Sequence, residues 1–288
     1  LLVGGVIGFG IIIFFKTIFT IFLSFVQITF SNQVTSSIAQ KLYVGYLNMD
    51  YIFHTARNSS NLKQNILTEA AHFTSLFNSI LVVIAESIIL FSIVILLLIY
   101  DFSSTIIIIV FLLSISFLIF KSTRSKVSSW GNIRLNYLER RFKNLQEALE
   151  GVKEIYIFQK PLYFINNFSE FSRNYLTAHR NFLVIQSITR PIFELIGILV
   201  IVLLLLFLLF QGNSIGSLVT TIGLFLAASF RLLPSINKIL SNVQQLKFFT
   251  PSIENILKEF KIINESYKLA DSNINIEFKK NIILDNVT

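Results

Sequence analysis

The sequence contains no cysteine. That excludes disulfides, thiolate metal sites and a cysteine nucleophile, and it says little about compartment. Charge is scarce as well. Only 14% of the residues are Asp, Glu, Lys or Arg, against about a quarter in an ordinary soluble domain. Short alternating strands of the barrel type are missing, which argues against a transmembrane β-barrel. No basic stretch precedes the first apolar block, so that block does not read as a signal peptide. No Gly-Lys pair occurs anywhere, so these residues hold no phosphate-binding loop of the G-x-x-x-x-G-K-[ST] kind. His54, His72 and His179 share no metal-ligand spacing, and no metal site or catalytic residue is expected.

Apolar residues are abundant, at 53% with a mean hydropathy of +0.69. A helix needs roughly 20 mostly apolar residues to cross about 30 Å of hydrocarbon. Five blocks approach or meet that length. Residues 1–30 are interrupted by Lys16 and Gln27. Residues 79–100 carry one ionisable group before their end, Glu86. Residues 105–120 carry none, 192–210 carry Glu194, and 215–230 end at Arg231. The expected fold class is all-α, a polytopic helical membrane protein.

The connections are unequal. Residues 101–104 and 211–214 are tight hairpins without Lys or Arg. Residues 31–78 and 121–181 are long and polar, and 121–181 holds eleven Lys/Arg against five Asp/Glu. The positive-inside rule places the long segments in the cytoplasm. It also explains the net charge of +8 as topology and lipid attraction, without nucleic acid. Leu135, Leu138, Phe142, Leu145, Leu149 and Val152 recur at three- and four-residue steps, the stripe of an amphipathic helix. The third block is therefore predicted to run on towards residue 158 as one helix of roughly 80 Å. Residues 31–46 extend the first block, 166–189 lead into the fourth, and 232–260 extend the fifth. Residues 261–273 read as a linker, and 274–278 and 282–284 as short strands.

Several stretches resemble the exporter-type transmembrane domain of ABC transporters. They are Tyr46-Leu47-Asn48-Met49-Asp50-Tyr51, Asn58-Ser59-Ser60-Asn61-Leu62 with Glu69, Gly131-Asn132-Ile133-Arg134, and the run from Leu145 through Gly151-Val152-Lys153-Glu154-Ile155. Arg190-Pro191-Ile192-Phe193-Glu194 and Phe230-Arg231-Leu232-Leu233-Pro234 resemble the lipid-linked oligosaccharide flippase branch more narrowly. The resemblance implies six membrane helices per half, so residues 1–260 would supply the last five. Residues 274–288 would then open a nucleotide-binding domain, with ATP and Mg held further on in that domain. It also implies a second transporter half, expected to be an identical copy, a pair of nucleotide-binding domains, membrane lipid as partner, and a bacterial inner membrane location. The implied function is an ATP-driven flippase for a lipid-linked saccharide or similar amphipathic lipid. Two alternatives stand beside it: an exporter of peptides, drugs or other lipids, and a motor-less membrane scaffold or receptor. A P-loop encoded just downstream would separate the transporter readings from the last of these.

By the same resemblance, two segments at the tips of the long helices couple to the motor. They are Asp50, Tyr51, Ile52, Phe53 and His54, and Gln159, Lys160, Pro161, Leu162, Tyr163 and Phe164. Exposed aromatic residues at a polar tip suit docking, although an ordinary capped turn also accounts for them. Charges inside the apolar blocks form the candidate substrate path: Lys16, Glu86, Arg190, Glu194 and Arg231. A charge at mid-membrane costs about 3 kcal/mol or more, so it faces protein or water. Arg190 and Glu194 are one turn apart and also fit a local ion pair. Lys16 also fits a snorkelling side chain.

Overall fold

Inside hydrocarbon the backbone has no water to bond, and a helix satisfies every N–H and C=O within its own segment. Each apolar block accordingly becomes one stretch of a helix, and most of these helices run well beyond the apolar part. The computed structural model describes residues 2–210 and 215–271. It contains α1 (Leu2–Leu47), α2 (Tyr51–Ala56), α3 (Ser59–Gln64), a π-helical turn (Asn65–Glu69), α4 (Ala70–Tyr100), α5 (Phe102–Glu150), α6 (Val152–Ile157), α7 (Pro161–Phe210) and α8 (Ile215–Asp271). Among the described residues five helices are long and apolar enough to cross a membrane, and there is no strand. The hairpin at 211–214 and the strands expected at 274–278 and 282–284 lie outside the described residues.

The hairpin at 101–104 is tight for a local reason. Asp101 caps α5, accepting from the Ser104 N–H at 3.2 Å and from its hydroxyl at 2.6 Å. The Thr105 hydroxyl closes the turn on the Leu97 carbonyl at 3.0 Å.

Two boundaries differ from the sequence expectation. Helix α5 stops at Glu150, not near residue 158, because Gly151 leaves the helical conformation and a new short helix starts at Val152. Glycine is the weakest ordinary helix former, and the apolar stripe continued across it. The short helix at the second tip is thus Val152–Ile157, and the expected coupling residues Gln159 and Lys160 form the turn after it. Gln159 has φ 50°, in the left-handed region, and Pro161 opens α7, where its fixed φ suits a first turn. At the other end, helical backbone continues through 261–271, where a linker was expected.

Helix α4 lies along α8, and α5, α7 and α8 pack against one another. Helix α1 is exposed along its apolar stretch and meets α4 at its polar end, where the Ser31 hydroxyl bonds Asn78 at 2.6 Å. Three apolar clusters fix the bundle. Leu97, Ile108, Leu112, Val200, Phe225 and Leu232 form the membrane cluster. Leu76, Val127, Phe182, Phe248 and Phe249 form the middle one. Leu42, Tyr46, Leu62 and Ile263 close the polar end.

Helix α5 approaches α8 so closely at Gly131 that any Cβ there would overlap the backbone carbonyl of Phe248. Backbone cannot swing aside as a side chain does. Gly131→Ala is expected to cost about 1–3 kcal/mol, the usual cost of overpacking. Thermal unfolding in detergent measures it. Gly223→Ala, which meets open space, is the control and should be neutral or stabilising.

Candidate functional site

Three groupings of candidate functional residues are built into the helices. The first is at the tips. Tyr51 and Ile52 on α2 are 81% and 77% exposed, and Tyr156, Phe158, Leu162 and Tyr163 form a similar apolar tip at the α6–α7 turn. Asp50 is the residue before α2, and His54 is exposed on it. Pro161, Leu162, Tyr163 and Phe164 occupy the first turn of α7. Not every expected tip residue points outward. Phe53 packs inward against Leu42, Tyr46 and Leu62, and Phe164 is half-buried. Tyr156 and Phe158, which the sequence reading passed over, take the exposed positions.

The second grouping is a buried knot. Arg134 on α5 and Glu69 in the π turn are both fully buried, with Nη2 of Arg134 3.6 Å from Oε2 of Glu69. The same nitrogen donates to the Ser252 hydroxyl on α8 at 2.5 Å. The guanidinium also lies 5.0 Å over the Phe249 ring and 5.7 Å from that of Phe248. Gln64 donates to the other Glu69 oxygen at 3.2 Å. His72 stacks on Phe249 at 4.5 Å, and His179 lies 6.0 Å from Phe248. Sequence reasoning found no metal-ligand spacing in these histidines and gave Arg134 and Glu69 no role beyond the family resemblance. The available signal was Gly131 and Arg134, three apart and so on one helix face.

The knot lies in the polar extensions, on the hairpin-distant side of residue 79. Burial, then Arg134, then His179 push the His72 imidazole down to about 3 from the ordinary 6.5. Burial and then Arg134 lower His179 too. Both rings are therefore neutral at pH 7. A histidine depressed in the fold takes up its proton on unfolding. Stability is then fully present above about 6.5 and drains as pH falls towards 3. Unfolding temperature should drop between pH 7 and 5, and His72→Phe should flatten that slope. An unchanged slope would remove His72 from the knot's electrostatics.

The third grouping is at the membrane boundary. Glu86 on α4 is buried, and its carboxylate accepts from the Ser235 hydroxyl at 2.7 Å and the Lys238 ammonium at 2.7 Å, both on α8. Arg231 is a third neighbour, at 3.7 Å. Positions 231, 235 and 238 recur at helical spacing, so α8 presents all three to α4. Ser235 is wholly buried, while the side chains of Arg231 and Lys238 are about half exposed. One carboxylate thus holds two cations, leaving a net positive charge with N–H donors facing outward. The sequence reading singled out Glu86 and Arg231 separately. The fold joins them and adds Lys238.

Beside this cluster lies an apolar cleft of about 390 Å³ between α4, α5 and α8. Leu90, Phe91, Ile108, Leu112, Phe225 and Ile236 are among its walls. Its two hydroxyls are already committed to backbone carbonyls: Thr105 to Leu97 and Asp101, Ser116 to Leu112. The cleft offers dispersion contact and nothing polar.

The other expected path residues stand apart. Arg190 and Glu194 pair with each other at 2.9 Å and are exposed. Lys16 is exposed on α1 and makes no ion pair among the described residues. No cluster of three or more His, Asp or Glu suited to a metal is found among the described residues.

Among the described residues the chain is a bundle of five helices long and apolar enough to cross a membrane, with long polar extensions and the short helices α2 and α6 at the tips. A family model described as the ABC transporter transmembrane region matches residues 2–232. That span takes in both short-helix tips, Glu69 and Arg134 of the knot, and Glu86 and Arg231 of the boundary cluster; Lys238, Phe248, Phe249 and Ser252 lie beyond it. The chain belongs to the transmembrane-domain family of ABC transporters and is an integral membrane protein of that exporter-type, all-α architecture.

Proposed function

We propose that this chain is the membrane half of an ATP-driven flippase for an anionic amphipathic lipid, a lipid-linked saccharide being the best fit. The observation that carries the reading is the pairing of the Glu86–Arg231–Lys238 cluster with the adjoining apolar cleft. Half-exposed Arg and Lys at a membrane boundary suit a phosphate-bearing head group. An apolar cleft within the membrane zone suits the hydrocarbon tail. Neither feature favours a free peptide.

In this reading two identical chains pair in a bacterial inner membrane, with their polar ends in the cytoplasm. ATP and Mg are held by nucleotide-binding domains, since this sequence has no Gly-Lys pair. Closure of those domains pushes on the exposed tips, and the long helices carry the motion to the boundary cluster.

The test is reconstitution of this chain with its nucleotide-binding domains in vesicles. Stimulated ATPase activity and flipping of fluorescent polyprenyl-diphosphate sugars are measured against peptides. Stimulation by the polyprenyl lipid is expected, and it should weaken in Arg231→Ala and Lys238→Ala. Stimulation by peptides alone would move the reading to a peptide exporter. ATPase activity indifferent to every substrate would favour a scaffold.

A further inference from the structure

Helix α2 is short and exposed, and a push delivered to it must reach the membrane through something stiffer than its two chain ends. The side chain just after it supplies a route. Arg57 donates to both oxygens of Glu259 on α8, at 2.8 and 2.7 Å. Glu259 is nearly buried and also accepts from the Tyr46 hydroxyl at 3.1 Å. Tyr46 in turn accepts from Asn65 at 3.1 Å, and Asn65 accepts from Asn255 of α8 at 2.7 Å. Burial, Glu259 and a hydrogen bond to that carboxylate keep the Tyr46 hydroxyl protonated, well above its ordinary range. Phe53 of α2 is held in the same joint, stacked on Tyr46 at 6.1 Å and under the Arg57 guanidinium at 4.8 Å.

Both bonds come from one nitrogen, Nη1, and a charge-assisted pair of this kind is shorter and stronger than a neutral hydrogen bond, so it fixes the separation of Arg57 and Glu259. Among the described residues, Arg57 is the one polar side chain of residues 50–57 that reaches another helix. Glu259 lies on the helix that also carries Arg231, Ser235 and Lys238. Between the two sites sits Pro251, which removes a backbone hydrogen bond and weakens a helix. The Arg134 knot clamps α8 there, through Phe248, Phe249 and Ser252. The weak turn is braced, so displacement at Glu259 can travel on to the boundary cluster.

We propose that Arg57 and Glu259 are positioning residues: a latch that makes α2 and the end of α8 one rigid body and routes the stroke of the first tip into α8. The latch rests on the transport reading above. It differs from a merely structural contact in one respect. It must stay closed throughout the cycle, and cutting it must separate ATP turnover from transport.

The absence of cysteine allows clean thiol placement. Spin labels at Thr55→Cys and Lys258→Cys, both exposed, read the tether without any substrate. The distance distribution should be narrow, and Arg57→Ala should broaden it. Equal widths would overturn the latch whatever the protein transports. In the second arm, Arg57→Cys/Glu259→Cys is bridged by a bis-methanethiosulfonate linker in the chain assembled with its nucleotide-binding domains. The bridged protein should transport normally. Reducing the linker in the same sample should lower transport roughly tenfold, within the usual range of a coupling free energy, while ATPase activity persists. Loss of transport on bridging, or no change on reduction, would overturn the proposal. A wild-type protein that moves no substrate would instead overturn the transport reading, and the label widths would still judge the tether.

Discussion

Glu69→Ala is expected to destabilise the protein by about 3–5 kcal/mol, the cost of leaving a buried charge without its partner. Arg134 has nowhere to go. It is wholly buried, walled by Phe248 and Phe249, and two of its nitrogens, Nε and Nη1, have no hydrogen-bond partner. With Glu69 removed, the Ser252 hydroxyl is the one acceptor left to its guanidinium among the described residues. Arg134→Met should cost a similar amount by stranding the Glu69 carboxylate. The paired variant Glu69→Leu/Arg134→Met should recover most of either loss, because a buried ion pair is often replaced by apolar side chains without penalty. Thermal unfolding of the detergent-solubilised protein reads all three. If the single variants lose under about 1 kcal/mol, the value of an exposed pair, water reaches the knot and the clamp on α8 is weaker than its burial implies.

The knot also marks what the sequence did and did not reveal. The five membrane helices were legible because length and hydrophobicity alone decide them. The hairpin at 101–104 was legible because Asp101 and Ser104 are local partners. Partners on different helices were not. Glu86 and Lys238 are 152 residues apart, and Arg134 and Ser252 are 118 apart. Which of them meet depends on the rotation of each helix about its axis. Blocks apolar around much of their circumference say nothing about that rotation. The π turn at Asn65–Glu69 left no compositional mark, yet it places Asn65 in the latch and Glu69 in the knot. Helix α5 was over-extended in the reading because its apolar stripe continues through Val152, across the glycine that ends it. The inward turn of Phe53 was missed for a similar reason: an aromatic residue at a polar tip suits docking and packing equally, and only the position of Tyr46 decides.

The second ionic cluster should answer to mutation in the opposite way. Glu86→Gln keeps the side chain's shape and one acceptor for Ser235, but removes the charge shared by Lys238 and Arg231. Those two side chains are about half exposed and can turn their charged ends towards water or lipid head groups. The stability loss should therefore be modest, about 1–3 kcal/mol for a buried hydrogen-bonding group left poorly partnered. Transport should suffer more. Without Glu86 the cations are free to hold an anionic head group too firmly, so substrate affinity should rise while turnover falls about tenfold, the effect of roughly 1.4 kcal/mol on a barrier. Arg231→Ala should do the reverse, weakening affinity with less effect on turnover. Flipping rates over a range of lipid concentrations separate the two. If Glu86→Gln unfolds the protein as readily as Glu69→Ala, or leaves both affinity and turnover unchanged, the cluster is a cross-brace between α4 and α8, and the phosphate-bearing head group must be sought at another part of the membrane boundary.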